Sequence, residues 1–137
     1  MTAEKQLTIL VTGDRDWHFG HHGALVLGVL EGFRESNPII VHGAARGVDS
    51  IAEIMAQRLK YTVHPHPANW DQYHRAAGPI RNKEMLQEAP DIVLAFHDNL
   101  TASKGTRDMV NQALKAGVPT IININSAGER TIIKEKV

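Results

Sequence analysis

Short apolar runs alternate with amphipathic segments along this chain, and the alternation limits the possible folds more than any other feature. The runs predict strands at residues 7–11, 39–41, 61–64, 91–96 and 119–124. Between them, apolar residues recur at helical spacing over 22–35, 48–59, 69–87 and 109–114. Strands and helices that alternate in this way form right-handed βαβ units. The sequence therefore predicts an α/β fold with a doubly wound, mainly parallel sheet of five or slightly more strands.

The length of the chain predicts one domain. Its 137 residues can enclose one hydrophobic core and are too few for two domains of ordinary size. We expect the domain to span 1–137, with a core over about 7–125 and a tail over 126–137. In the tail, Arg-Thr-Ile-Ile at 130–133 predicts either an added strand or a contact with a partner.

Composition argues against several classes of protein. The chain has no cysteine, so we expect no disulfide, iron–sulfur cluster or thiolate zinc site. Fifteen basic residues balance fifteen acidic ones, and nothing approaches a membrane span or a signal peptide. We therefore expect a cytoplasmic protein with no membrane partner and no resident cofactor. The His18, His21, His22 cluster and the His64, His66 pair have spacings that could hold a divalent ion, but we do not predict a metal site.

Glycine occurs with charged or hydroxyl residues at four places where a strand is expected to lead into a helix. These junctions read Gly13-Asp14-Arg15-Asp16-Trp17, Gly43-Ala44-Ala45-Arg46-Gly47-Val48-Asp49, Ala77-Gly78-Pro79-Ile80-Arg81-Asn82 and Ser103-Lys104-Gly105-Thr106-Arg107-Asp108. In a parallel α/β sheet such junctions share the edge at the carboxyl ends of the strands, where helix N-termini attract anions. The sequence thus predicts one anion-binding face.

The first junction combines groups suited to a nucleotide. Gly13 is expected to let the backbone pass close under a phosphate, and Arg15 to hold that phosphate. Trp17 fits stacking on a base and packing in the core equally well. Asp14 is a further candidate contact.

The second junction should present backbone N–H groups to an anion, because Gly43 and Gly47 flank small residues. Asp49, in the first turn of the next helix, is expected to hold a ribose hydroxyl or to act on a proton. His42 is expected to hydrogen-bond within the cleft or to the local backbone. The predicted contacts here are His42, Gly43, Ala44, Arg46, Gly47 and Asp49.

The third junction supplies the strongest single candidate, Arg81. Gly78 and Pro79 are expected to break the helix over 69–87 and so to bring Arg81 and Asn82 to the start of its second part. We expect Arg81 to contact phosphate and to matter little for the melting temperature. At the fourth junction, Gly105 and Thr106 are predicted phosphate contacts.

Taken together, these motifs resemble the SLOG superfamily, and most closely its small bacterial and phage branch, the YspA-like or DUF2493 group. The resemblance rests on 11–17, 42–49, 77–82 with Met85, Asp91 and 105–106, and covers roughly residues 9–122. It implies a Rossmann-like fold, a nucleotide-derived ligand and a homo-oligomer. The superfamily includes the LONELY GUY phosphoribohydrolases, a molybdenum-cofactor carrier and the DNA-processing protein DprA.

Two functions follow from the resemblance. The first is a protein that binds a nucleotide or nucleotide-derived ligand in order to sense, carry or sequester it. The alternative is an N-glycosidic hydrolase acting on nucleoside monophosphates or NAD-derived nucleotides, with Arg81, Asp108 and Asp49 as catalytic candidates. Asp108 takes the place of the first glutamate of the phosphoribohydrolase motif, whose second glutamate and Pro-Gly-Gly start are missing. A role on single-stranded DNA ranks third, because the net charge is zero and aromatic residues are few.

Overall fold

The computed structural model describes residues 5–137, and a six-stranded sheet forms its centre. The strands are β1 (Thr8–Gly13), β2 (Ile39–His42), β3 (Thr62–Pro65), β4 (Ile92–Phe96), β5 (Thr120–Ile124) and β6 (Arg130–Ile132). The α-helices are α1 (Phe19–Glu31), α2 (Val48–Arg58), α3 (Trp70–Tyr73), α4 (Ala77–Leu86) and α5 (Lys104–Ala116). Short 3₁₀ segments lie at Arg34–Ser36, His74–Ala76 and Leu100–Ala102.

The strand order is β3-β2-β1-β4-β5-β6, which confirms the predicted doubly wound fold. In this order, each strand from β3 to β5 is parallel to its neighbour, and β1 lies between β2 and β4. The order reverses between β1 and β4, because the chain first builds outward through β2 and β3 and then returns to the other side of β1. In sheets of this kind, the crevice at such a switch point is where ligands bind.

Helices cover both faces of the sheet, as the continuous apolar runs predict. Val26 and Leu30 of α1 and Ile51 of α2 pack in one core cluster with Ile9 and Ile40 of the sheet. A second cluster contains Met85 of α4 and Met109, Val110 and Ala113 of α5, packed with strand residues such as Leu10. Packing on the two faces of the sheet holds the first turns of these helices in place, and it therefore also positions the junctions that precede the helices.

The tail supplies an added strand, one of the two alternatives that its sequence left open. β6 pairs antiparallel with β5, and Ile132 lies opposite Ile122. Its three residues are exposed, and Ile133 just beyond it packs against the second core cluster.

The predicted helix break at Gly78 and Pro79 is wrong. Both residues lie in the first turn of α4, where backbone N–H groups have no partner within the helix and proline therefore removes nothing. The chain turns earlier, at His74, whose φ of 51° lies in the left-handed region. A second boundary also differs, since α1 begins at Phe19 rather than at residue 22.

Glu88 ties the edge strand β3 to the end of α4. Its carboxylate contacts His64 Nδ1 at 2.6 Å and also the Nε2 of His66. Burial raises the pKa of Glu88, but the hydrogen bonds from both histidines outweigh this and hold the pKa below its ordinary value. The His64, His66 pair thus has a structural partner, and residues 5–137 contain no group of three or more His, Asp or Glu side chains that could hold a metal ion. Within the same range, no helix is long and apolar enough to cross a membrane.

Candidate functional site

A cleft of about 450 Å³ opens at the carboxyl ends of β1 and β4. It lies at the switch point of the sheet, and the first turns of α2, α4 and α5 border it. All four glycine-containing junctions contribute to its walls. The predicted residues that line it are Gly13, Asp14, Arg15, Arg46, Asp49, Gly78, Arg81, Asn82, Gly105, Thr106 and Asp108.

Three N–H groups of the loop after β2, which we expected to face an anion, have partners within the protein. The N–H groups of Gly43 and Ala45 donate to Asp49 Oδ2 at 3.1 and 3.2 Å, and that of Ala44 donates to His42 Nδ1 at 2.9 Å. The carboxylate of Asp49 therefore takes the place that we expected an external anion to fill. Asp49 is only 7% exposed, and this burial raises its pKa even though the hydrogen bonds and the nearby Arg81 act in the opposite direction.

Arg81 is part of the same buried network. It is 8% exposed; its Nη1 donates to the carbonyl of Gly43 at 2.5 Å and its Nε donates to Asn82 Oδ1 at 3.0 Å. A Cβ at Gly43 would come within 2.5 Å of Nη1, so glycine at this position makes room for the guanidinium. Burial lowers the pKa of Arg81, whereas Asp49 favours its charged form. Arg81 thus supports the fold as well as lining the cleft, and in place of the minor effect predicted from the sequence we now expect its removal to lower the melting temperature.

The N-terminus of α5 opens onto the cleft. Ser103 caps the helix by accepting a hydrogen bond from the Thr106 N–H at 3.2 Å. The preceding N–H groups, of Lys104 and Gly105, belong to the first turn and have no carbonyl partner within the helix. A Cβ at Gly105 would meet no atom within 4 Å, so space lies open beside this turn.

Asp108 lies one turn further along α5 and faces the same cleft. Its Oδ2 accepts hydrogen bonds from Asn82 Nδ2 at 2.9 Å and from Gln112 Nε2 at 2.8 Å. These two neutral amides fix the direction of the carboxylate without neutralising it. The predicted residues Asn82 and Asp108 are therefore brought together, and Gln112 is a supporting residue that sequence patterns did not single out.

Two of the predicted glycine contacts serve packing. A Cβ at Gly13 would lie 2.5 Å from the carbonyl oxygen of Phe96, on the neighbouring strand β4, and close to the side chain of Val48. Gly47 has a φ of 77°, and a Cβ there would overlap the backbone of Asp14 and Arg15. Both glycines allow the first and second junctions to approach each other, which places Arg15 and Arg46 at one cleft.

Of the two alternatives left open for Trp17, the structure supports packing in the core, and a different tryptophan lines the cleft. Trp17 is only 5% exposed, stacks on His22 with ring centroids 4.3 Å apart and packs edge-on against Phe96. Trp70, at the start of α3, is 48% exposed and lines the cleft, with the Arg15 guanidinium 5.8 Å from its ring centroid. Sequence patterns did not single out Trp70, because it lies outside the glycine-containing junctions.

The two histidines at strand ends have different surroundings. His42 is buried and its Nδ1 accepts the Ala44 N–H, a bond to the local backbone that was one of the two alternatives expected for it; its Nε2 lies 2.7 Å from Glu53 Oε1. His97 lines the cleft and accepts the Asn99 N–H at its Nδ1, which leaves Nε2 directed toward Asp14 Oδ2 at 3.7 Å. His97, which like His42 was expected to hydrogen-bond within the cleft or to the local backbone, thus lines the cleft, and Lys104 is a cleft residue that the predicted contacts did not include.

Comparison with known proteins agrees with the motifs. A model of the YspA, cpYpsA-related SLOG family matches residues 7–73. The Gene 61 protein of Mycobacterium phage D29 is 36% identical over 121 residues, which cover 82% of this chain and 93% of that protein.

Two solved structures share the fold. DNA processing protein A (DprA) from Streptococcus pneumoniae superposes with a TM-score of 0.69 at 15% identity over 86% of this chain, which spans 50% of the DprA chain. The Moco carrier protein from Chlamydomonas reinhardtii gives a TM-score of 0.58 at 16% identity, covering 87% of this chain and 76% of the other. At these identities the likeness shows the fold alone. On the family match and the phage relative, the chain belongs to the YspA, cpYpsA-related SLOG family.

Proposed function

We propose that this protein binds a nucleotide or nucleotide-derived ligand in the cleft between β1 and β4. The observation that carries the proposal is the convergence of helix N-termini, basic side chains and an exposed tryptophan on one cavity at the switch point of the sheet. The cavity volume of about 450 Å³ lies within the range of roughly 300–1,000 Å³ that is usual for small-molecule sites. The Moco carrier protein, which shares the fold, is by its name a carrier.

The phosphate is proposed to lie at the N-terminus of α5. There the first-turn N–H groups, the open space beside Gly105 and the cleft-lining Lys104 provide hydrogen bonds and positive charge together. Arg81 supports this position from the opposite wall. Two of the five N–H donors of its guanidinium are used by Gly43 and Asn82, so donors remain for a ligand.

The nucleoside part is proposed to lie against Trp70. The indole is half exposed, and the Arg15 guanidinium lies 5.8 Å from its ring centroid. Asp14 and Asp108 line the same cavity and can accept hydrogen bonds from ribose hydroxyls.

Native mass spectrometry of freshly purified protein, followed by a thermal-shift panel of nucleoside mono-, di- and triphosphates, NAD and ADP-ribose, tests the proposal. We expect a retained or stabilising phosphate-bearing compound. A protein that retains none and is not stabilised by any member of the panel would contradict it.

Trp70→Ala should weaken nucleotide binding by about 1–3 kcal/mol, the usual contribution of a base stacked on an aromatic side chain. Trp70→Phe should retain most of the affinity. Calorimetry measures both, and fluorescence adds a check, since the protein has two tryptophans and Trp17 is buried. The ligand-induced change in emission should disappear in Trp70→Phe. Unchanged affinity in Trp70→Ala would place the base elsewhere.

A second candidate function, N-glycosidic hydrolysis, is favoured by the orientation of Asp108. In this reaction a water oxygen bonds to C1′ of the sugar, the bond from C1′ to the base breaks, and the base leaves with the electron pair and takes a proton. Asp108 could stabilise the positive charge that develops on the sugar or accept the proton of the water. Asp49 is poorly suited to that work, because its Oδ2 is already bonded to two backbone N–H groups.

Asp108→Asn separates binding from hydrolysis. The amide keeps the shape of the side chain and removes its charge, so any release of free base should fall by at least about 100-fold, the low end of acid–base contributions, while nucleotide affinity changes little. Chromatography of base release and calorimetry measure the two quantities. Base release that survives in Asp108→Asn would move the chemistry to Asp14, and rapid release by the wild type would make hydrolysis the main function.

A further inference from the structure

A second cavity, here called the annex, adjoins the cleft. It measures about 410 Å³ and is close in size to the cleft itself. Arg15, Arg46, Trp70 and Arg81 line both cavities, whereas Pro67 and Ala68 line only the annex. A ligand that occupies the cleft therefore reaches the annex by passing between Trp70 and these arginines.

The two cavities differ in charge. The cleft has four acidic and four basic lining residues, namely Asp14, Asp16, Asp49, Asp108, Arg15, Arg46, Arg81 and Lys104. The annex is lined by Arg15, Arg46 and Arg81, and among the described residues no carboxylate joins them there. The annex is thus the more positive of the two compartments.

Arg15 and Arg81 lie near enough in the annex for their like charges to repel. Burial lowers the pKa of Arg81 and Arg15 lowers it further, whereas Asp49 and Asp108, which line the cleft, raise it. Arg46 pairs with Asp16 at 3.3 Å, but both side chains are more than 70% exposed, so water screens this pair. An anion placed among the three guanidinium groups would relieve the repulsion and accept several charge-assisted hydrogen bonds.

We propose that the annex is a second anion subsite, and that the ligand is a nucleotide carrying a second phosphate group apart from the first. The first phosphate lies at the N-terminus of α5, the nucleoside lies against Trp70, and the second phosphate lies among Arg15, Arg46 and Arg81. This inference rests on the proposed function, because it extends the same ligand beyond the cleft.

Calorimetry with three nucleotides of one base tests the subsite, the base being the one that gives the largest thermal shift in the panel above. The probes are the 5′-monophosphate, the 5′-diphosphate and the 3′,5′-bisphosphate. We expect the bisphosphate to bind at least tenfold more tightly than the monophosphate, and the diphosphate to gain less. An equal gain for both would show that added phosphate extends the first site, and no gain for either would show that the annex takes no phosphate.

Ala68 offers a variant that acts on the annex, because it lines that cavity and not the cleft. Ala68→Glu should reduce the ratio of bisphosphate to monophosphate affinity at least tenfold by placing a carboxylate among the arginines, whereas Ala68→Gln, of equal size, should preserve most of that ratio. A ratio that survives in Ala68→Glu overturns the subsite while leaving monophosphate binding, and thus the proposed function, standing. Failure of all three probes to bind the wild type would count against the proposed function itself.

Discussion

Replacing Arg81 by alanine is expected to lower the free energy of unfolding by about 1.5–3 kcal/mol, the usual contribution of hydrogen bonds made by a charged group. Arg81 is 8% exposed, and its loss would leave the carbonyl of Gly43 and the Oδ1 of Asn82 without their guanidinium donors. It would also leave a cavity beside Gly43, whose missing side chain makes room for the guanidinium. Differential scanning calorimetry should show the melting temperature falling by about 5 °C or more.

Arg46→Ala is the matched control for this measurement. Arg46 lines the same cleft, but its side chain is 73% exposed and its ion pair with Asp16 is screened by water. Its replacement should change stability by no more than about 0.5 kcal/mol. If Arg81→Ala melts at the same temperature as the wild type, the network of Arg81, Gly43 and Asp49 contributes little to stability, and Arg81 is a ligand contact alone.

The fold could be predicted because its signals are local and mutually consistent. The apolar runs at β1, β2 and β4 alternate with amphipathic helices, and a chain with that alternation has few topologies available. The helix break at Gly78 and Pro79 was mispredicted because both residues fit a helix start as readily as an interruption. Only the left-handed backbone at His74 shows that they lie at a helix start and not at an interruption, and that backbone conformation depends on packing of the whole segment.

The site was predictable in its location and less so in its detail. Sequence reasoning placed the four junctions on one edge of the sheet, where the cleft lies. It could not show that the N–H groups of Gly43 and Ala45 already donate to Asp49, because that contact depends on how α2 packs after the loop. For the same reason, it could not distinguish the buried Trp17 from the cleft-lining Trp70.

Gly105→Glu is expected to weaken nucleotide binding by about 1.5–3 kcal/mol, roughly ten- to a hundredfold, by removing the charge-assisted hydrogen bonds of the phosphate. The new carboxylate would enter the open space beside the first turn of α5, where the proposed phosphate lies. The fold should not suffer, because a negative charge in the first turn of a helix is stabilising. Calorimetric titration with the ligand identified in the thermal-shift panel measures the loss of affinity, and the melting temperature reports on the fold.

Gly105→Ala separates the effect of charge from that of the side chain itself. A Cβ at this position meets no atom within 4 Å, and alanine favours the helix by about 1 kcal/mol over glycine, so this variant should melt slightly higher than the wild type. Its backbone N–H is retained, and its affinity should stay close to that of the wild type. If Gly105→Glu binds as tightly as Gly105→Ala, the phosphate does not lie at α5. The arginines shared by the cleft and the annex would then be the remaining anion site at this edge of the sheet.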